Sequence, residues 1–143
     1  MDRTYKTILL VDDDPDDQLL FSEALSVADA TVLCHIATNG IDALEQLQSG
    51  AIIMPNLVFM DVNMPRMNGI DCLKKMQHDA VLKDIPVIMY STSCSPAYQR
   101  ECFDNGAVYY MEKPTDFAQL CNALKSIVTH GISQVKTTCN NTL

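Results

Sequence analysis

The chain has 143 residues, a length that fits one domain and leaves little room for a second. Hydrophobic residues make up 48% and charged residues 20%, which excludes wholesale disorder and suffices for a core without disulfides or a structural metal. Eighteen acidic residues against ten basic ones leave a net charge of −8, which repels phosphate backbones and anionic lipid and disfavours nucleic-acid or membrane-surface partners.

No run approaches the roughly 18 apolar residues of a membrane span. The opening residues lead into an apolar stretch too short for a signal peptide, so a cytoplasmic protein is expected. Cys34, Cys72, Cys94, Cys102, Cys121 and Cys139 are scattered, with no CxxC pair and no histidine at zinc spacing. Reduced thiols are the expectation.

Short apolar runs alternate with longer segments of helical period. Thr7-Ile8-Leu9-Leu10-Val11 reads as a buried strand, stopped by Asp12-Asp13-Asp14-Pro15. Asp14 is placed to cap a helix with Pro15 at its first position and Asp17 in its first turn, where carboxylates suit the helix dipole. Leu20, Phe21, Ala24, Leu25 and Val27 form its expected apolar face. Thr31 to Ile36 is a second strand, followed by Asn39 as a cap and by Ala43, Leu44 and Leu47 facing inward. The third strand, Leu57-Val58-Phe59-Met60, stops at Asp61.

Asn68-Gly69 leads into a helix carrying Ile70, Leu73 and Met76. Pro86 opens a fourth strand over Val87 to Tyr90, which ends in the hydroxyl cluster Ser91-Thr92-Ser93. Ser95-Pro96 starts another helix, and Asn105-Gly106 stops it. Ala107 to Met111 is a fifth strand, followed by Lys113-Pro114. Asp116 with Gln119 forms a capping-box pattern for a last helix bearing Phe117, Leu120, Cys121, Leu124, Ile127 and Val128. From about His130 the chain turns polar and aperiodic, which divides it into a domain over 1–129 and a tail over 130–143.

Five βα units in succession imply an α/β fold, a doubly wound five-stranded parallel sheet with helices on both faces. Ligands in such folds bind outside the carboxyl ends of the strands. Here those ends carry Asp12 and Asp13, Asp61, Ser91 and Lys113. Any one of them alone is an ordinary turn or cap residue; their joint occurrence at strand ends one, three, four and five favours a site. Several carboxylates at one edge repel one another unless a cation screens them, and oxygen donors without His or Cys favour Mg²⁺. A lysine and a hydroxyl alongside suit a phosphoryl group, and a carboxylate can itself accept one.

Leu10-Val11-Asp12-Asp13, the run from Met60-Asp61 through Asn63-Met64-Pro65 to Gly69, Pro86 to Ser91, Gly106-Ala107 and Lys113-Pro114 resemble the receiver domain of bacterial response regulators. The resemblance spans about Lys6 to Val128. Asp12 to Asp17, Asp84-Ile85-Pro86-Val87 and Ser91-Thr92-Ser93 further resemble a single-domain subset that includes regulators paired with bacterial phytochromes.

The resemblance implies a flavodoxin-like (βα)5 fold of strand order 2-1-3-4-5. It implies Asp61 as phosphoacceptor, taking the group from a histidine kinase or phosphotransfer protein. It also implies Asp12, Asp13, Asp61 and the Asn63 carbonyl around Mg²⁺, with Asp12 acting through water. Ser91 matches the switch hydroxyl, Lys113 the lysine that pairs with the phosphoryl group, and Tyr110 the aromatic that rotates inward. A cis Lys113–Pro114 bond is implied too. The chain is then no enzyme beyond its own phosphorylation and dephosphorylation. With no output domain expected after it, the signal passes to an unidentified protein target through the surface of the fourth helix, fifth strand and fifth helix.

Three rivals fare worse. A haloacid-dehalogenase-like phosphatase needs a further acidic pair beyond the lysine, where only Asp116 stands. A flavodoxin-like FMN binder needs a first loop that cradles phosphate, and three acids there repel it. A module that no longer takes phosphate would not be expected to keep both acids, Asp61, the hydroxyl and Lys113.

Overall fold

The computed structural model describes residues 5–131; of the expected tail over 130–143, His130 instead closes the last helix, and 132–143, with Cys139, lie outside the described residues. Ten elements alternate strictly: β1 (Thr7–Val11), α1 (Pro15–Ala28), β2 (Leu33–Ala37), α2 (Gly40–Ser49), β3 (Leu57–Met60), α3 (Gly69–Gln77), β4 (Val87–Ser91), α4 (Pro96–Asp104), β5 (Tyr109–Glu112) and α5 (Phe117–His130). A short 3₁₀ turn, Leu82–Asp84, precedes β4. The five strands are parallel in the order β2-β1-β3-β4-β5, as expected.

Successive strand residues point to opposite faces, so each strand feeds two cores. Leu9, Val11, Val58, Met60, Val87 and Met89 meet α2 and α3 through Ala43, Leu47, Leu73 and Met76. Ile8, Leu10, Leu57, Phe59, Ile88 and Tyr90 meet α1 and α5 through Phe21, Leu25, Leu120, Leu124 and Ile127. Burying one such Leu, Ile or Phe stabilises the fold by about 1.5–3 kcal/mol. At the centre of the second core, Phe21, Phe59 and Tyr90 pack edge to face, with centroids 4.9, 5.6 and 6.0 Å apart.

The caps expected at Asp14, Asn39, Ser95 and Asp116 form, Asp116 through the Ala118 amide and not the Gln119 one, and Asn68 adds another. Asp14 accepts from the Asp16 and Asp17 amides, Asn39 from Asp42, Asn68 from Asp71, Ser95 from Tyr98 and Asp116 from Ala118. Two strand starts shift. Asp29 accepts from both the amide and the hydroxyl of Thr31, and this turn delays β2 to Leu33. The Ala107 amide is still tied to the Cys102 carbonyl at the end of α4, and β5 begins at Tyr109.

The α1 face is rotated from the expected one. Phe21, Ala24 and Leu25 are buried, whereas Leu20 and Val27 are exposed, because the stripe meeting the sheet runs through 21, 24, 25 and 28. Phe117 is likewise exposed, standing at the first position of α5. Cys34, Cys72, Cys102 and Cys121 are free thiols, as expected; Cys94 is not, being disulfide-bonded from the loop after β4. No helix among the described residues is long and apolar enough to cross a membrane.

Candidate functional site

The sheet's own hydrogen bonds assemble the site. Beyond the last paired residues, Val11 and Met60, the Asp61 amide donates to the Val11 carbonyl at 2.9 Å, which sets Asp61 beside the start of the β1–α1 loop. The Asp12 amide donates to the Ala37 carbonyl at 3.0 Å, and the Lys113 amide to the Ser91 carbonyl at 2.8 Å. Local contacts then fix the loop: Asp12 Oδ1 accepts from the Asp14 amide, and Gln18 Nε2 donates to the Asp12 carbonyl. Carboxylate oxygens of Asp12, Asp13 and Asp61 come within 4.8 Å of one another. Asp12 and Asp61 are buried, and Asp13 is exposed to solvent.

Lys113 reaches across these strand ends. Its Nζ lies 2.7 Å from Asp12 Oδ2, 2.8 Å from Asp17 Oδ2 and 3.3 Å from Asp61 Oδ2, with only 9% of the side chain exposed. It also sits 5.4 Å from the centroid of the Tyr90 ring, so the aromatic cluster of the core forms the floor beneath the charge. The Lys113–Pro114 bond is trans, against the expected cis form. Trans is the lower-energy isomer by about 0.5–1 kcal/mol, and the amine reaches all three carboxylates without the sharper turn.

One ammonium cannot neutralise this cluster. Burial pushes the Asp61 carboxyl up to about 6; Lys113 pulls against that rise, while the Asp12 charge adds to it. Burial raises Asp12 as well, against its hydrogen bonds to Lys113 and the Asp14 amide. Burial alone would lower Lys113, but hydrogen bonds to Asp12 and Asp17 and the Asp61 charge hold it above the usual lysine range. The donor set is all oxygen, crowded, partly buried and short of positive charge. It fits a hard divalent cation.

The remaining predicted residues lie around this centre. The Asn63 amide donates to the Asp61 carboxylate. Ser91 is fully buried at the end of β4, and its Oγ accepts from the Ser93 amide at 3.2 Å. Tyr110 is turned inward, with its hydroxyl donating to the Ser93 carbonyl at 2.7 Å. Gly69 comes against the backbone of Asp61: a Cβ there would stand 2.0 Å from the Asp61 carbonyl oxygen, which accounts for glycine closing the motif. Three contributors carry no site signal in the sequence: Asp17 reads as a helix-dipole acid, Tyr90 as a strand residue and Gln18 as an ordinary helix residue.

Comparison with known proteins agrees with this geometry. A family model described as "Response regulator receiver domain" matches residues 8–125. The two-component response regulator ORR3 of Oryza sativa subsp. indica is 34% identical over 118 residues, covering 80% of this chain and 87% of its own. ARR17 of Arabidopsis thaliana, also a two-component response regulator, is 33% identical over 116 residues, with coverage of 75% and 74%. Among solved structures, the phosphorylated cyanobacterial phytochrome response regulator RcpA superposes with a TM-score of 0.79 at 28% identity, covering 87% of this chain and 91% of that one. The Mn²⁺-bound form of response regulator Rcp1 gives 0.79 at 25% identity, with coverage of 94% and 99%. Acids converging at the strand ends, the sheet order and a family match over most of the chain lead to one conclusion: the chain belongs to the receiver-domain family of two-component response regulators, which take phosphoryl groups from histidine kinases onto an aspartate.

Proposed function

We propose that the chain works as a single-domain response regulator, taking a phosphoryl group from a phosphohistidine onto Asp61. The observation that carries this reading is the Asp61 carboxylate, buried among Asp12 and Asp13 with Lys113 Nζ 3.3 Å away. An Asp61 oxygen attacks phosphorus as the phosphorus–nitrogen bond breaks, and the imidazole leaves with a proton. Hydrolysis by water later returns the free carboxylate and phosphate. Lys113 offsets the negative charge that would otherwise repel the donor, and the strand ends hold attacker and lysine in place.

Asp12, Asp13, Asp61 and the Asn63 carbonyl would hold Mg²⁺, which supplies charge stabilisation on the transferring oxygens. The chain acts on no separate substrate, so it is no enzyme beyond its own phosphorylation cycle. Phosphorylation adds a local anion beside Ser91, and Ser91, Ser93 and Tyr110 form a linked path from there to β5. Output then runs through protein contacts at the α4–β5–α5 surface, where Phe103 and Phe117 are exposed. The likeness to RcpA makes a phytochrome-type kinase the first donor to test, alongside phosphotransfer proteins. Such a donor draws its phosphoryl group from ATP, so the chain would meet it in the cytoplasm. The acidic surface leaves neither nucleic acid nor membrane as a favoured partner.

The test is incubation with a labelled phosphorylated kinase or a small phosphodonor, with and without Mg²⁺. Label should appear only with the cation, show acyl-phosphate lability and vanish in Asp61→Asn. Stable label on serine or histidine would overturn the mechanism.

A further inference from the structure

We propose that Asp17 is a positioning residue that competes with Asp61 for Lys113 and so weakens the site's hold on a phosphoryl group. The inference rests on the phosphoacceptor reading above. Asp17 stands in the first turn of α1, where its amide is capped by Asp14. Its Oδ2 is closer to Lys113 Nζ than Asp61 is, 2.8 Å against 3.3 Å. The ammonium donates hydrogen bonds to Asp17 and Asp61, and its 2.7 Å contact with Asp12 is an ion pair. A phosphoryl group on Asp61 that engages Lys113 therefore competes with carboxylates already in contact with it.

The three competitors are not equivalent. Asp12 and Asp61 belong to the carboxylate trio that would face a cation, whereas Asp17 lies outside it. A cation drawing on Asp12 and Asp61 leaves Asp17 as the carboxylate still holding the lysine. Its charge then remains beside an incoming dianion and offsets part of the Lys113 charge. Asp16 offers the contrast: it sits in the same turn, is exposed, and is not among the carboxylates paired with Lys113. Serving the helix dipole explains Asp16 fully but leaves the Lys113 contact of Asp17 unexplained.

The test is titration of the full chain with beryllofluoride, a tetrahedral stand-in for the phosphoryl group, at saturating Mg²⁺ by calorimetry. Asp17→Asn should lower the dissociation constant about three- to ten-fold, the scale of one nearby charge in a partly screened site. Asp17→Ser should do the same should the amide misfold, and Asp17→Glu should return the constant toward wild type. Asp16→Asn should stay within about twofold, as an exposed charge is screened. An unchanged or weakened affinity in the Asp17 variants overturns the proposal, and so does an equal gain in Asp16→Asn, which would show a general field effect. Wild-type protein that binds no beryllofluoride at all would overturn the phosphoacceptor reading itself, and the inference with it.

Discussion

Asp61 carries its chemistry at a thermodynamic cost that can be measured. Its carboxyl is pushed up to about 6 by burial, whereas an unfolded aspartate titrates near about 3.9. Between these values the folded chain keeps a proton that the unfolded chain has released. Stability therefore falls as pH rises from about 4 to about 6, then levels off, with a total loss on the order of 3 kcal/mol from this group. In EDTA, Asp61→Asn should be more stable than wild type by about 1–3 kcal/mol above pH 6, and the gain should fade by about pH 4. Urea unfolding across that range checks it; a difference that does not change with pH would assign the cost elsewhere. Asp12, Asp13, Asp61 and Lys113 were legible in the sequence because each stands within two residues of the end of an apolar strand run, and a parallel sheet brings such ends together. Asp17 was not, because its role depends on α1 leaning over a lysine 96 residues away. The trans Lys113–Pro114 bond differs for another reason: the cis form is implied only by the resemblance, and no residue in this sequence demands it.

The strands were legible to within a residue or two because burial on both faces makes them continuously apolar, and caps bound the helices sharply. The face of α1 was not, since Leu19, Leu20 and Val27 are as apolar as the residues that turn inward. Pattern alone leaves such a helix free to rotate, and the Phe21 contact with Phe59 and Tyr90 selects the orientation. The β3–α3 connection shows a tighter constraint. Gly69 opens α3 while its amide donates to the Val62 carbonyl at 2.9 Å, and the helix start is pressed against the Asp61 backbone. Gly69→Ala should cost about 3 kcal/mol in urea unfolding, because its new methyl meets rigid backbone. Gly50 supplies the comparison. It ends α2 at a φ of 75° with nothing within 4 Å of a built Cβ, so Gly50→Ala should cost only the left-handed strain, about 1–2 kcal/mol. Equal losses would mean that the loop after β3 yields, and that Asp61 is held less firmly than this contact implies.

Across the whole molecule, folding concentrates charge that the sequence spreads out. The unfolded chain keeps Asp12 and Asp13 well apart from Asp61, and the fold gathers all three within 4.8 Å. Lys113 is the only cation they share among the described residues, and Asp17 takes part of it. A divalent cation that binds the assembled trio and not the separated acids stabilises the fold by mass action, by about 2.7 kcal/mol at 100-fold excess over its dissociation constant. The net charge of −8 makes ionic strength a confounder, since any salt screens self-repulsion, so the comparison must be made at matched ionic strength. Millimolar Mg²⁺ at pH 7 should raise the wild-type unfolding midpoint. Asp13→Asn separates the two effects, because the exposed Asp13 contributes repulsion in the apo protein and a ligand in the loaded one. This variant should lose most of the Mg²⁺ gain while matching or exceeding wild type in EDTA. An equal Mg²⁺ gain in both proteins would mean that Asp13 is no ligand, and the cation would then have to be held by Asp12, Asp61 and the loop after β3.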